Sequence, residues 1–216
     1  MRHRMLVLAL LTLGMSLMVG GCASQPARFY LLSALLNTEA ASMGASGAQG
    51  PTIGVGPVTL PRYTDRPQIV TRTGPYELQL AEFDRWAESL EANFARVLAD
   101  NLALLIPASR VAVSPWPRAT AIDYQVIIDV THFLSQVGGE SLLIADWTLL
   151  KGEGPQALTS GQSRLSASTA GQDYAAIVAA MSETVASLSH EIATAIRGVG
   201  PSASVHQRNA GRAITP

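Results

Sequence analysis

Residues 123–133 read DYQVIIDVTHF, and this stretch decides the fold class. Tyr124, Val126, Ile128 and Val130 alternate with residues that are mostly polar. A period of two places one set of side chains on each face of a strand. The stretch therefore predicts a strand with one face on a hydrophobic core and the other in contact with water.

Further strands are predicted on both sides of this one. The alternation returns over 143–149, after Gly138-Gly139, and 157–168 has the weaker and more polar pattern of an edge strand. Upstream, shorter apolar runs predict an edge strand, a second strand, the two strands of a hairpin around Gly74-Pro75 and one more strand, at 28–32, 53–60, 68–72, 76–80 and 110–114.

Two segments have the period of amphipathic helices. Apolar residues recur every three or four positions from Phe83 to Leu105, before Pro107, and again from Asp173 to Arg197. Strands followed by a helix, more strands and a second helix indicate an α+β domain. We expect a single domain over 52–198, with a mixed or antiparallel sheet and both helices packed on one face.

The first 21 residues have the organisation of a lipoprotein signal peptide. Arg2 and Arg4 form a basic start, Met5 to Val19 form an apolar run too short to span a bilayer, and Gly20-Gly21 precede Cys22. This order predicts cleavage before Cys22 and acylation of its thiol.

Two regions with little apolar periodicity flank the predicted domain. Residues 22–51 contain the lipidated N-terminus, the short edge strand and, from Asn37, a flexible linker rich in Ala, Ser and Gly. Residues 199–216 lack apolar periodicity and predict a disordered tail.

Composition excludes several classes of function. Lys and Arg total 15 and Asp and Glu 16 in 216 residues, so the chain lacks the excess of base that a nucleic-acid-binding protein needs. One cysteine excludes an internal disulfide. We find no motif for a nucleophile, a metal or a cofactor, and we predict a non-enzymatic protein. A hydrolase that uses His132 as a base would need a serine brought close by the fold.

Residues 60–72, LPRYTDRPQIVTR, form the most distinctive loop. Arginine and tyrosine are favourable anchors at protein interfaces, so Arg62, Tyr63, Asp65 and Arg66 are candidates for docking a partner. A rigid turn in which Asp65 pairs with Arg62 or Arg66 explains the same residues. Trp116, between two prolines, is a candidate exposed aromatic and the fifth candidate for docking a partner.

The chain resembles the ABC-type transport auxiliary lipoproteins, the family of paraquat-inducible protein C (PqiC/YmbA-like). The resemblance extends from Phe29 to about Ile196. It rests on three segments, YTDRPQIVTR (63–72), RWAESLEANFARVLADNL (85–102) and DYQVIIDVTHF (123–133). The ADW segment (145–147) and the Ala- and Ser-rich final helix also match.

The resemblance implies a non-enzymatic, lipid-anchored subunit that works with an MCE-domain protein, an ABC permease complex or both. These systems carry phospholipids between membranes. Ala23 after the lipidated Cys22 indicates the periplasmic face of the outer membrane, with the inner membrane as the alternative. The number of copies stays open, a homo-oligomer included. The competing hypothesis is a lipoprotein that binds a lipid or small amphiphile in an apolar groove between helices and sheet.

Overall fold

The computed structural model describes residues 25–35, 50–106 and 109–199. They form eight strands and two α-helices. The strands are β1 (Arg28–Tyr30), β2 (Thr52–Thr59), β3 (Gln68–Arg72), β4 (Leu78–Trp86), β5 (Arg110–Val113), β6 (Tyr124–Gln136), β7 (Glu140–Lys151) and β8 (Ala157–Ser168); the helices are α1 (Leu90–Leu105) and α2 (Tyr174–Val199).

All eight strands belong to one mixed sheet. Six strands follow the order β1-β4-β3-β6-β2-β5. β7 lies off this path and pairs with β6 on one side and with β8 on the other. β3 and β4 form the predicted antiparallel hairpin. β1 pairs only with β4, and β8 only with β7. The edge positions predicted for these two strands are therefore confirmed, as is the α+β class.

The strand that decides the fold, β6, is also the one that organises the sheet. β7 pairs with it antiparallel along most of its length. β2 pairs parallel with residues 124–129 of β6, and β3 pairs parallel with Ser135 and Gln136. Because β7 occupies one edge of β6, β2 and β3 follow one another along the other edge. Residues 60–67 connect them and leave the sheet opposite 130–134.

Both helices cover the same face of the sheet and share one hydrophobic core with it. Phe94 of α1 packs edge-to-face on Phe133 of β6, with ring centroids 5.6 Å apart. Val126 and Leu149, on neighbouring strands, are also completely buried in this core. Burial of each aliphatic or aromatic side chain of this size contributes about 1.5–3 kcal/mol to the free energy of folding. The hydrophobic core between the helices and the sheet is therefore the main stabilising feature.

The N-terminal segment is tied to the helices by buried amides. The backbone N–H of Leu32 donates to Asn93 Oδ1 (2.6 Å), and that of Leu35 donates to Asn101 Oδ1 (2.7 Å). Asn101 Nδ2 in turn donates to Ser189 Oγ on α2 (3.0 Å). These side chains satisfy backbone groups that would otherwise be buried without partners, so the segment after β1 is an integral part of the domain.

The first helix begins later than its apolar spacing predicts. The helix was expected from Phe83, but β4 continues to Trp86 and α1 begins at Leu90. The backbone N–H of Trp86 donates to the Pro67 carbonyl (2.7 Å), and β1 pairs with Asp84 to Trp86 on the other side. Phe83 and Trp86 have the spacing of one helical face, but hydrogen bonds to neighbouring strands on both sides keep this segment extended.

Several predictions fall outside the residues that the structure describes. These are the signal peptide, Cys22, most of the linker and the tail beyond Val199. In the described part of the chain, neither helix is long and apolar enough to span a bilayer.

Candidate docking site

Residues 60–67 fold into a tight loop held by its own backbone. The backbone N–H and the hydroxyl of Thr64 both donate to the Pro61 carbonyl, at 2.9 and 2.7 Å. Asp65 N–H donates to the Arg62 carbonyl (3.1 Å), which closes a single 3-10 turn over Arg62–Thr64. These hydrogen bonds fix the backbone on both sides of Tyr63, and the loop makes no ion pair with any residue that the structure describes.

Tyr63 points from this loop into the sheet. Its hydroxyl oxygen accepts a hydrogen bond from the backbone N–H of Phe133 (2.9 Å), in the gap that β2 and β3 leave along β6. Burial raises the pKa of the Tyr63 phenol above its ordinary value. The side chain is half-buried, so Tyr63 fastens the loop to the sheet and leaves the arginines on either side of it outside.

A cleft of about 680 Å³ lies between this loop and the start of α1. One wall is the 60–67 segment, with Arg62, Asp65 and Arg66; the other is the 86–91 segment, with Glu88 and Glu91. The second wall was not anticipated from the sequence, because no local signal shows that residues 20 to 30 positions apart face each other.

The charges of the cleft are largely unneutralised. Glu88 forms an ion pair with Arg96 of α1. Among the described residues, Arg62 and Arg66 make no ion pair, and Asp65 pairs with neither of them. An exposed guanidinium without a partner is a ready donor for a carboxylate or phosphate. The loop therefore presents two such groups on a rigid support.

Trp116 lies apart from the cleft and is not the exposed aromatic that its flanking prolines indicated. Its ring is half-buried over Gly54 of β2, where an added Cβ would lie 2.9 Å from Cη2 of the indole. The indole N–H donates to Glu153 Oε1 (2.7 Å). Trp116 thus covers the open face of the sheet opposite the helices, and it does not join the docking loop.

His132 is half-buried on β6, and its surroundings do not resemble a catalytic dyad. Burial lowers the pKa of its imidazole, and the positive charges of Arg72 and Arg164 lower it further. Its charged neighbours are therefore cations instead of the carboxylate that orients a catalytic histidine. Within the described ranges no cluster of three or more His, Cys, Asp or Glu side chains could hold a metal ion.

A second, apolar groove lies on the helix side of the molecule. It has a volume of about 540 Å³ and is lined mainly by residues 30–35 and by the start of α2, including Val178 and Ala179. It is an open surface groove. The space between the helices and the sheet, where the amphiphile-binding hypothesis required a cavity, contains the packed core around Phe94 and Phe133.

Comparisons with known proteins agree with this fold and assign the chain to a family. Residues 30–193 match the family model described as ABC-type transport auxiliary lipoprotein component. No curated protein matches the chain significantly. The chain is similar to the crystal structure of an uncharacterized protein (20% identity, TM-score 0.65, 80% of this chain and 99% of the other). It is also similar to a DUF330 protein from Xanthomonas campestris (20% identity, TM-score 0.62, 79% of this chain and 96% of the other).

The matched range includes the whole docking loop, all of α1, α2 as far as residue 193 and all strands except most of β1. The family consists of transport components and is not an enzyme family, and its lipoprotein character implies a periplasmic protein anchored to a membrane. The resemblance inferred from the sequence is confirmed: the chain belongs to the ABC-type transport auxiliary lipoprotein component family.

Proposed function

We propose that this protein is the lipid-anchored accessory subunit of an MCE-type system that moves phospholipids between membranes. In this role it docks the end of the transport bridge at the membrane and so helps to maintain the integrity of the envelope. The docking site is the cleft between residues 60–67 and 86–91. The anchor is the acylated thiol of Cys22.

The observation that carries this proposal is the exposure of Arg62 and Arg66 on a loop with a fixed backbone. Because the backbone of the loop is already fixed, only the arginine side chains have to be ordered on binding, and the planar guanidinium loses less freedom for each hydrogen bond formed than a lysine does. Across the cleft, Glu91 makes no ion pair with any residue in the described ranges. The site therefore fits a protein surface that presents carboxylates to the arginines and a basic group to Glu91.

The signal sequence supports the anchor. Several acyl chains, at about 0.8 kcal/mol for each buried CH₂, hold a domain on a bilayer almost permanently. Ala23 after Cys22 favours sorting to the periplasmic face of the outer membrane, with the inner membrane as the alternative. Either membrane places the domain in the periplasm, where a bridge protein can reach its cleft.

The proposal is tested by crosslinking in membranes, followed by purification of the lipoprotein and identification of what is attached. Four forms are compared, namely wild type, Arg62→Ala with Arg66→Ala, Arg118→Ala and Cys22→Ala. Arg118 is the matched control, because it is also an exposed arginine but lies outside the cleft.

We expect an MCE-domain protein with wild type and with Arg118→Ala, and about tenfold less with the double variant. Binding should also weaken as salt rises, since the charges are exposed. Cys22→Ala should lack the acyl chains and be lost from the outer-membrane fraction. Equal recovery with the double variant and wild type would show that the cleft is not the docking site.

The alternative function is carriage of a lipid or small amphiphile by the domain itself. The apolar groove beside residues 30–35 is the feature that favours it. Native mass spectrometry of the purified chain separates the two functions. A retained lipid, together with no transport component in the crosslinked material, would support the carrier and contradict the accessory role.

A further inference from the structure

Four of the six large apolar side chains that are exposed in the described ranges lie toward one end of the sheet. Tyr76 is completely exposed, and Leu78, Leu80 and Val137 are 42%, 46% and 38% exposed. The remaining two, Phe29 and Leu31, lie in or directly after the edge strand β1. A patch of exposed apolar groups at one end of a domain marks a contact surface.

The first four of these residues lie together at the tips of two hairpins. Arg72 of β3 is in register with Gln136 of β6, so the turns that follow these residues leave the sheet side by side. We name Tyr76, Leu78, Leu80 and Val137 the hairpin-tip patch. Residues 73–76 and 137–139 carry no charge.

The direction of β1 leaves the anchor within reach of the same end of the sheet. β1 runs parallel to β4, with Arg28 in register with Asp84. Its N-terminal end therefore points back along β4 toward Leu78. Cys22 precedes Arg28 by six positions, as Leu78 precedes Asp84, so the connecting residues, which extend to roughly 20 Å, can reach the hairpin tips.

We propose that the hairpin-tip patch rests on the phospholipid surface that holds the acyl chains of Cys22. This inference rests on the anchor in the proposed function. Tyrosine and aliphatic side chains at an interface bury their apolar parts among the lipid headgroups and keep the hydroxyl in water. Glu77 and Glu140 flank the patch and Arg72 lies behind it, so the surface it fits is zwitterionic rather than strongly anionic.

The orientation that results is the one a docking subunit needs. The patch lies at the C-terminal end of β3, where Leu78 is in register with Arg72 and Leu80 with Val70. Pro67, just before the N-terminal end of β3, lines the cleft. With the patch on the membrane, the cleft with Arg62 and Arg66 lies at the end of β3 that faces away from the lipid. A partner that crosses the periplasm can then reach it without displacing the domain.

The test uses the full lipoprotein, purified from membranes and reconstituted in vesicles of phosphatidylethanolamine and phosphatidylcholine. Cys22 is the chain's only cysteine and is blocked by acylation, so an introduced cysteine can be labelled selectively. Tyr76→Cys and Leu78→Cys are labelled with a polarity-sensitive fluorophore. Gln156→Cys is the control, because Gln156 is exposed in the turn after the other end of β7.

We expect the emission maxima of the labels at positions 76 and 78 to shift to the blue when the protein is on vesicles. Their fluorescence should be quenched by lipids that carry a nitroxide at the headgroup or upper acyl chain. The label at 156 should show neither change. Flotation of each variant with the vesicles reports the anchor separately, and Cys22→Ala should not float.

Three results would overturn the proposal, and they differ in what else they affect. Variants that float while the labels at 76 and 78 remain unquenched leave the anchor intact and exclude the patch from the membrane. A blue shift without lipid quenching, accompanied by crosslinks at 78 between copies or to another protein, shows that protein covers the patch. Failure of the unlabelled lipoprotein to float removes the anchor, and the orientation inferred from it is overturned as well. The crosslinking experiment with the Arg62→Ala and Arg66→Ala double variant measures docking at the cleft independently of these results.

Discussion

The hydroxyl oxygen of Tyr63 lies 2.9 Å from the backbone nitrogen of Phe133 and accepts its hydrogen bond. This contact closes the gap in the ladder between β3 and β2 on one edge of β6. It also fixes the position of the loop that carries Arg62 and Arg66. A side chain that the sequence offers as a docking residue thus supports its neighbours from inside the sheet.

Tyr63→Phe should destabilise the domain by about 1–2 kcal/mol, because it keeps the ring and leaves the Phe133 N–H without its partner. Urea unfolding measures this as a lower midpoint with an unchanged slope. Tyr76→Phe is the matched control, since Tyr76 is fully exposed, and its midpoint should stay that of wild type. Equal midpoints for the two variants would contradict the role given to Tyr63.

Asn101→Ala should release the segment that follows β1. Asn101 is completely buried and joins the Leu35 N–H to Ser189 Oγ. Its loss leaves buried polar groups without partners, which costs about 1–3 kcal/mol for each group. Hydrogen exchange at the Leu35 amide should accelerate strongly. Asp100→Ala, an exposed change on the same helix, should leave exchange at the Leu35 amide unaltered. If Asp100→Ala accelerated exchange at the Leu35 amide to a similar degree, the effect would come from general weakening of α1 and not from loss of the Asn101 contact.

Gly54→Ala should clash with Trp116, since the new Cβ would lie 2.9 Å from the indole Cη2. Overpacking of this kind costs about 1–3 kcal/mol. In a Trp116→Leu background the same change should cost less, and the difference is measured by a double-mutant cycle in urea. Gly74→Ala, where nothing lies within 4 Å, is the control and should cost little. Additive effects of Gly54→Ala and Trp116→Leu would contradict the contact.

Stability should depend on pH through His132. Burial and the charges of Arg72 and Arg164 lower the pKa of its imidazole in the folded state. The unfolded chain therefore binds more protons than the folded chain in the range below about pH 6.5, the ordinary value. The stabilising contribution is complete above that pH and is lost as the pH falls toward the folded-state pKa.

His132→Asn should flatten the decline in the unfolding free energy below about pH 6.5. His190→Asn, on the exposed side of α2, serves as the control and should retain it. The ring-proton shift of His132 in NMR gives the folded pKa directly. A value at or above the ordinary one would contradict the assignment of its surroundings.

The sequence predicts the elements of this fold well, because burial of one face leaves a periodic trace. The alternation over 123–133 and the stripe of α2 correspond to buried faces, and the β3–β4 hairpin follows from its turn residues. The boundary at Phe83 to Trp86 is where this reasoning is wrong. Apolar residues three positions apart satisfy a helix and a bent strand alike.

The candidate site is only partly accessible to such reasoning. Arg62, Asp65 and Arg66 stand out in the sequence because they lie within five residues of one another. The structure places all three on one cleft. Their counterparts Glu88 and Glu91 could not be identified, since no local pattern shows that the β4–α1 connection faces the loop.

By itself, the sequence determined the α+β class, the order of the elements, the residues of the core and the family, since these depend on periodicity and on short characteristic segments. Tertiary structure alone decided the order of the strands in the sheet, that Tyr63 turns inward, and that Trp116 covers Gly54. The physical reason is that the periodicity of apolar residues in the local sequence reflects which side chains are buried. The groups against which it packs are set by contacts between residues far apart in the chain.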